Sequence, residues 1–168
     1  MPNVEIERKY IIKMPDLDLL SEMESYTVSE IEQIYLESPT GITQRIRRRT
    51  YTDRAEYTET KKVRIDKSSA YEDERAITEA EYSSLCEKRA KDSTPLKKVR
   101  HTFRYSGQIF EVDIYPDWTC TCIMETELSS RDTVVDMPPF IQIVCEVTGK
   151  REYSNASMSR KFPKETEN

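Results

Sequence analysis

Seven short stretches of the chain place charged or hydroxyl side chains at every second residue. Glu5, Glu7 and Lys9 do so in VEIERKYII, Arg45, Arg47 and Arg49 in TQRIRRRTY, and Thr58, Thr60, Lys62 and Arg64 in EYTETKKVR. Glu72 and Glu74 follow in AYEDERAI, Lys98, Arg100, Thr102 and Arg104 in LKKVRHTFR, Glu111 and Asp113 in IFEVDIY, and Glu125 and Glu127 in CIMETEL. Successive side chains of a β-strand point to opposite faces, so each set shares one face. Such alternation ordinarily marks the wet side of a half-buried antiparallel sheet. Here the signs are segregated, with arginines on one strand, lysine and arginine on others, and paired carboxylates on three. Like charges two positions apart repel, and a merely solvated face would mix them. A sheet curled into a barrel with these faces inward gives them a purpose. Its carboxylates suit divalent cations, its guanidinium and ammonium groups suit a polyanion, and each offsets the desolvation of the other.

The elements that must position these residues are mainly strands. Alternation and turn signals predict strands near 3–12, 30–37, 43–51, 55–65, 70–77, 97–105, 108–115 and 122–130, with a short extended piece near 143–148. Gly41, Gly107 and Gly149 all fall at the proposed turns. Thr78 caps a helix over TEAEYSSLCEKRAKD, with Glu81 completing a capping box and Tyr82, Leu85 and Cys86 forming its apolar stripe. A shorter helix covers Asp16 to Met23, and a third begins near Ser154. The fold class is mainly β with a few covering helices, in one domain over residues 1–168 whose tail is loosely held from about residue 161.

Composition excludes several classes. A net charge of -5 and a pI near 5.2 argue against a duplex nucleic-acid or membrane-surface binder. No apolar run exceeds three residues, which leaves no transmembrane helix or signal segment and points to the cytoplasm. Cys86, Cys120, Cys122 and Cys145 have no zinc spacing and read as reduced thiols. His101 is the sole histidine and has no triad pattern around it. Trp118, after Pro116-Asp117, either packs a loop or stacks on an organic ring at the barrel mouth. Phe140 and Ile141 after Pro138-Pro139 suit an intramolecular cover or a homodimer contact.

The ordered motifs resemble the CYTH superfamily, or triphosphate tunnel metalloenzymes. Its ExExK signature stands as Glu5-Ile6-Glu7-Arg8-Lys9, followed in family order by Gln33-Ile34-Tyr35-Leu36, Arg45-Ile46-Arg47, Thr60-Lys61-Lys62, Glu72-Asp73-Glu74, Lys98-Val99-Arg100, Phe110-Glu111-Val112-Asp113, Glu125-Thr126-Glu127, and Glu146-Val147-Thr148 with Tyr153-Ser154-Asn155. The resemblance covers about residues 3–158 and implies a closed, eight-stranded antiparallel tunnel with a charged interior. It implies Mg²⁺ or Mn²⁺ held by Glu5, Glu7, Asp113, Glu125 and Glu127, and phosphates gripped by Lys9, Arg45, Arg47, Lys62, Lys98 and Arg100. Glu72 and Glu74 would support catalysis beside Glu5, Glu7 and Lys9, while Arg49, Arg64 and Arg104 lie further along the same faces.

Two positions depart from the family pattern, where Ala70 replaces an arginine and Ala156 a lysine. The short chain and the Glu-Arg-Lys-Tyr form of the signature are most similar to bacterial inorganic triphosphatases. Metal-dependent hydrolysis of inorganic triphosphate is therefore the expected activity. The alternatives are a thiamine or nucleoside triphosphatase, a class IV adenylyl cyclase, and a non-catalytic polyphosphate-binding module. Retention of Glu5, Glu7, Glu125 and Glu127 favours an enzyme over a binder.

Overall fold

The computed structural model describes residues 3–166. Its strands are β1 (Asn3–Lys13), β2 (Glu24–Tyr35), β3 (Thr43–Thr50), β4 (Ala55–Arg64), β5 (Ser69–Ala76), β6 (Leu96–Tyr105), β7 (Gln108–Ile114), β8 (Thr121–Glu127) and β9 (Ile143–Glu146). The helices α1 (Leu17–Ser21), α2 (Glu79–Cys86) and α3 (Asn155–Arg160) are short, and a 3-10 turn spans Arg151–Tyr153.

All strand pairings are antiparallel, in the order β5-β4-β3-β2-β6-β7-β8-β1, and β1 also pairs with β5. That pairing closes an eight-stranded barrel, with β9 added outside it against β1. β1 makes this possible by its length. At ~3.3 Å per residue an 11-residue strand spans about 36 Å, enough to change partners along the way. Its first residues pair Asn3–Ile6 with Ser69–Glu72, and Glu7–Lys13 run beside β8. Beyond the seam, the edge that β5 leaves free takes β9 at Tyr10–Ile12.

The alternation puts apolar residues on the outer face of the barrel, where the covering elements bury them. Tyr10, Ile12, Phe103, Phe110, Val112 and Met124 pack beneath Leu20 of α1 and Ile141. Ile34 and Ile46 pack beneath Ile77 and Tyr82 of α2. Leu96, Tyr115 and Ile123 share faces with the charged residues instead, and pack with Trp118, Met158 of α3 and Phe162. Full burial of each large apolar side chain contributes roughly 1.5–3 kcal/mol, so these clusters oppose the cost of a charged interior.

The structure departs from the sequence expectations at several elements. β2 begins at Glu24, six residues before the expected start. Its extra segment is held by pairing with β6 across an irregularity at Ser25, which has φ +56°, and by Tyr26 Oη against His101 Nδ1 at 2.8 Å. α2 keeps the Thr78–Glu81 capping box but ends at Cys86, because Arg89 bridges to Leu36 and the Ala90 N–H donates to Tyr35. The chain after residue 161 is docked through Phe162, while Glu165 accepts from the backbone N–H groups of Thr119, Cys120 and Thr121. Residues 1–2 and 167–168 of the expected loose ends lie outside the described residues.

Ile141 is 8% exposed and Phe140 packs beside Phe103, so this pair serves as an intramolecular cover. The cysteines are free thiols. Among the described residues no helix is long and apolar enough to cross a membrane.

Candidate active site

The barrel encloses a cavity of about 900 Å³. β1 lines it with Glu5, Glu7 and Lys9, β3 with Arg45, Arg47 and Arg49, and β4 with Thr60, Lys62 and Arg64. Glu72 and Glu74 of β5, Arg100 of β6, Glu111 of β7, and Glu125 and Glu127 of β8 complete the wall. Of the residues expected to bind metal or phosphate, Lys98 and Asp113 are absent from this wall, since both side chains are completely buried. Arg49 and Arg64, expected nearer the rim, do line it. Arg49 Nε donates to Ser29 Oγ at 2.8 Å, and Arg64 to the carbonyls of Asp66 and Lys67. Arg104 is half-exposed beside Glu24 and does not reach the cavity.

Strand register explains the neighbours. Glu7 stands opposite Glu127 and Lys9 opposite Glu125 across β1 and β8, while Lys62 stands opposite Glu72 and Thr60 opposite Glu74 across β4 and β5. Lys62 Nζ lies 2.5 Å from Glu5 Oε2 and 3.7 Å from Glu72. Lys9 Nζ lies 3.2 Å from Glu125 and 4.0 Å from Glu7, and donates to the Tyr153 carbonyl at 3.2 Å. Glu74 accepts from Thr60 Oγ1 at 2.8 Å and from Arg47 Nη2 at 3.4 Å.

The charges of the wall do not balance locally. Burial, with Arg45, Arg100 and Arg49 nearby, pushes Arg47 down to about 10 against the pull of Glu74. Arg45 is raised because Tyr35, Glu72 and Glu74 outweigh its burial, yet its Nε is buried without a hydrogen-bond partner. Burial and the Glu125 charge push Glu7 above the usual carboxylate range. Glu127 is raised by burial and by Glu5, Glu111 and Glu7. Burial works against the ionised form of Glu125 too, but Lys9, Lys98 and Arg100 hold its pKa at about 2. The wall thus holds one arginine, Arg47, that its carboxylates do not fully compensate, and two carboxylates, Glu7 and Glu127, that its cations do not.

Other site residues are ones that alternation alone does not settle. Glu111 accepts from Arg100 Nη1 at 2.6 Å. Its signal was the shared face with Asp113, but only register separates the two, setting Glu111 opposite Glu125 and Asp113 opposite Ile123. Lys150, Arg151, Asn155 and Ala156 enter the wall from the connection after β9 and from α3. Gly149 permits that approach: it sits at φ +71°, and a Cβ there would come within 2.7 Å of Lys67 Cβ. Ala70 is buried at the β1–β5 seam opposite Glu5, where the family pattern has an arginine.

The donor set suits a hard divalent cation. Glu5, Glu7 and Glu127 offer carboxylate oxygens from adjacent strands, and the burial and mutual repulsion that raise Glu7 and Glu127 are what a cation would relieve. Among the described residues no three His, Cys, Asp or Glu side chains already converge into a coordination cage. Lys62 and Lys9 meanwhile act as internal counter-ions to the carboxylates.

No family model and no curated protein sequence matches the chain. Solved structures do. The inorganic triphosphatase NE1496 is 26% identical and superposes with a TM-score of 0.59, covering 95% of this chain and 97% of that one. A conserved hypothetical protein from Pyrococcus furiosus is 25% identical with a TM-score of 0.58, covering 76% and 80%. PH1819 from Pyrococcus horikoshii OT3, at 22% identity and a TM-score of 0.57, shares the fold over 76% and 80%. The closed charged tunnel and the end-to-end likeness to NE1496 show that this chain shares that protein's fold, in keeping with the CYTH resemblance of its motifs.

Proposed function

We propose that the protein hydrolyses a phosphoanhydride bond of inorganic triphosphate with the aid of Mg²⁺ or Mn²⁺. The observation that carries this reading is Arg47, a nearly buried guanidinium whose neighbours are mostly other arginines. A polyanion placed among Arg45, Arg47 and Arg100 would supply the negative charge that Arg47 lacks, and guanidinium forks fit phosphate oxygens. The likeness to the inorganic triphosphatase NE1496 supports the same class of substrate.

Each side chain has a role to play. Arg45, Arg47 and Arg100 bind the phosphates and stabilise charge on the transferring phosphoryl group, work that is mostly positioning and electrostatics. Lys62 and Lys9, paired with Glu5 and Glu125, would turn to phosphate oxygens and leave carboxylates open to the cation. Glu5, Glu7 and Glu127 would hold that cation, which withdraws charge from the phosphates when bound. Glu72 and Glu74 keep Lys62, Thr60 and Arg47 in place from β5.

Inorganic triphosphate fits better than a nucleotide or thiamine ester. Trp118 is 3% exposed and donates its Nε1–H to the Pro163 carbonyl, so it presents no stacking face to a ring. Among the described residues that line the cavity, Tyr35 is the one aromatic, and its hydroxyl is engaged by Gln33. Phosphate release should be measured for inorganic triphosphate, thiamine triphosphate, ATP and GTP, each with Mg²⁺, Mn²⁺ or chelator, with cyclic nucleotide followed in the ATP samples. Fast release from inorganic triphosphate that chelator abolishes is the expected result. Tight binding without turnover would make the tunnel a receptor, and cyclic nucleotide would make it a cyclase.

A further inference from the structure

We propose that Asp113 is a positioning residue, whose carboxylate fixes the Arg100 guanidinium in the tunnel wall and takes no part in holding the cation. This inference rests on the triphosphate reading above, and it departs from the family-based expectation that Asp113 is a metal ligand. Asp113 is 0% exposed and contributes nothing to the cavity surface, whereas Arg100 does line the cavity. Its Oδ1 accepts from Arg100 Nε at 2.7 Å, and its Oδ2 accepts from Arg100 Nη2 at 2.8 Å and from Lys98 Nζ at 2.7 Å.

Both oxygens are therefore occupied by charge-assisted bonds, two of them the parallel pair that fixes a guanidinium plane. The backbone enforces this geometry, since Asp113 and Arg100 are direct partners in the β6–β7 register. A cation reaching Asp113 would have to displace those bonds and sit against Arg100 and Lys98, both positively charged. The third edge of Arg100 is set by Glu111, which takes Nη1 from the cavity side. Lys98 extends the clamp by donating to Asn155 Oδ1 at 3.3 Å, which ties the start of α3 to the same corner.

The test separates phosphate binding from metal binding. Calorimetric titration of inorganic triphosphate in chelator, with the unaltered protein and with Asp113→Asn, reads the first. The Mn²⁺ concentration giving half-maximal turnover reads the second. Asp113→Asn should weaken triphosphate binding by about tenfold or more, the loss of one strong charge-assisted contact, and leave the Mn²⁺ requirement of residual turnover unchanged. A general loosening of the fold would not divide the two readouts in this way. Unchanged triphosphate affinity, or a tenfold higher Mn²⁺ requirement, would overturn the proposal. Failure of the unaltered protein to bind triphosphate either in chelator or with Mn²⁺ would instead sink the reading of function. If the variant does not fold, crystals of the unaltered protein grown with Mn²⁺ and triphosphate decide the matter. An anomalous peak away from Asp113, with its Arg100 pair intact, is expected; an ion bound by Asp113 contradicts it.

Discussion

Arg100 and Arg47 face the same tunnel from different strands, with side chains 7% and 14% exposed, and they are treated in opposite ways. Arg100 is met by Asp113 and Glu111, which hold it well above its ordinary value despite its burial. Arg47 has one carboxylate contact, to Glu74 at 3.4 Å, and it is pushed down to about 10. A buried charge whose partner is already present is held in position by the scaffold. One that its partners compensate only in part indicates where a ligand of opposite sign would be stabilised. The same division applies to the carboxylates: Glu125 is held low by Lys9, Lys98 and Arg100, whereas Glu7 and Glu127 remain raised.

Breaking the paired corner should have the largest effect. Arg100→Leu leaves Asp113 with Lys98 alone, and removing one partner of a buried ion pair costs about 3–5 kcal/mol. Urea unfolding measures this directly, and a loss under about 1 kcal/mol would mean the corner is not the scaffold described.

Acid should dismantle the paired groups next. Glu125 lies at about 2 in the folded protein against an ordinary 4.5, and Asp113 is also depressed. Depressed carboxylates contribute stability that is complete above the unfolded value and lost as pH falls through the folded one. Circular dichroism should therefore show stability falling steeply between about pH 4.5 and pH 2. A flat profile in that window would contradict the pairing.

Relieving an under-compensated group works in the other direction. Glu7 is raised, so its ionisation weakens the fold as pH climbs from the ordinary carboxylate value through the raised one. Glu7→Gln should therefore melt higher than the unaltered protein at neutral pH, with the difference closing below about pH 4.5. A lower melting temperature at neutral pH would show that Glu7 is already compensated.

The smallest effect belongs to Trp118. Trp118→Phe removes the hydrogen bond to Pro163 and some packing against Phe162, a cost of about 1–2 kcal/mol. The ratio of activity on inorganic to thiamine triphosphate should not move. A shifted ratio would return Trp118 to the tunnel mouth.

The face each charged residue occupies was legible in the sequence, because strand parity is local and Glu5, Glu7, Arg45, Arg47, Glu72 and Glu125 need only alternate. Depth along the tunnel was not legible. Glu111 and Asp113 are equivalent by parity, and only the register with β8 puts one in the wall and the other beneath it. The early part of β2 was missed because its polar side chains become a strand through pairing with β6. The tail after residue 161 was read as loose because Glu165 meets its partners, the N–H groups of Thr119–Thr121, only in three dimensions. Lys150 and Arg151 were likewise hidden, since their entry depends on Gly149 packing against Lys67.

The claim that the under-compensated arginine marks the polyanion site is tested most directly by calorimetric titration of inorganic triphosphate in chelator into Arg47→Leu and Arg48→Leu. The two positions are adjacent on β3, but Arg48 points to the outer face and pairs with Glu32 at 3.5 Å. Arg47→Leu should weaken binding by ~10-fold or more, the scale of one lost hydrogen bond to a charged group, while Arg48→Leu binds as the unaltered protein does. Equal effects at the two positions, or none at Arg47, would contradict the account.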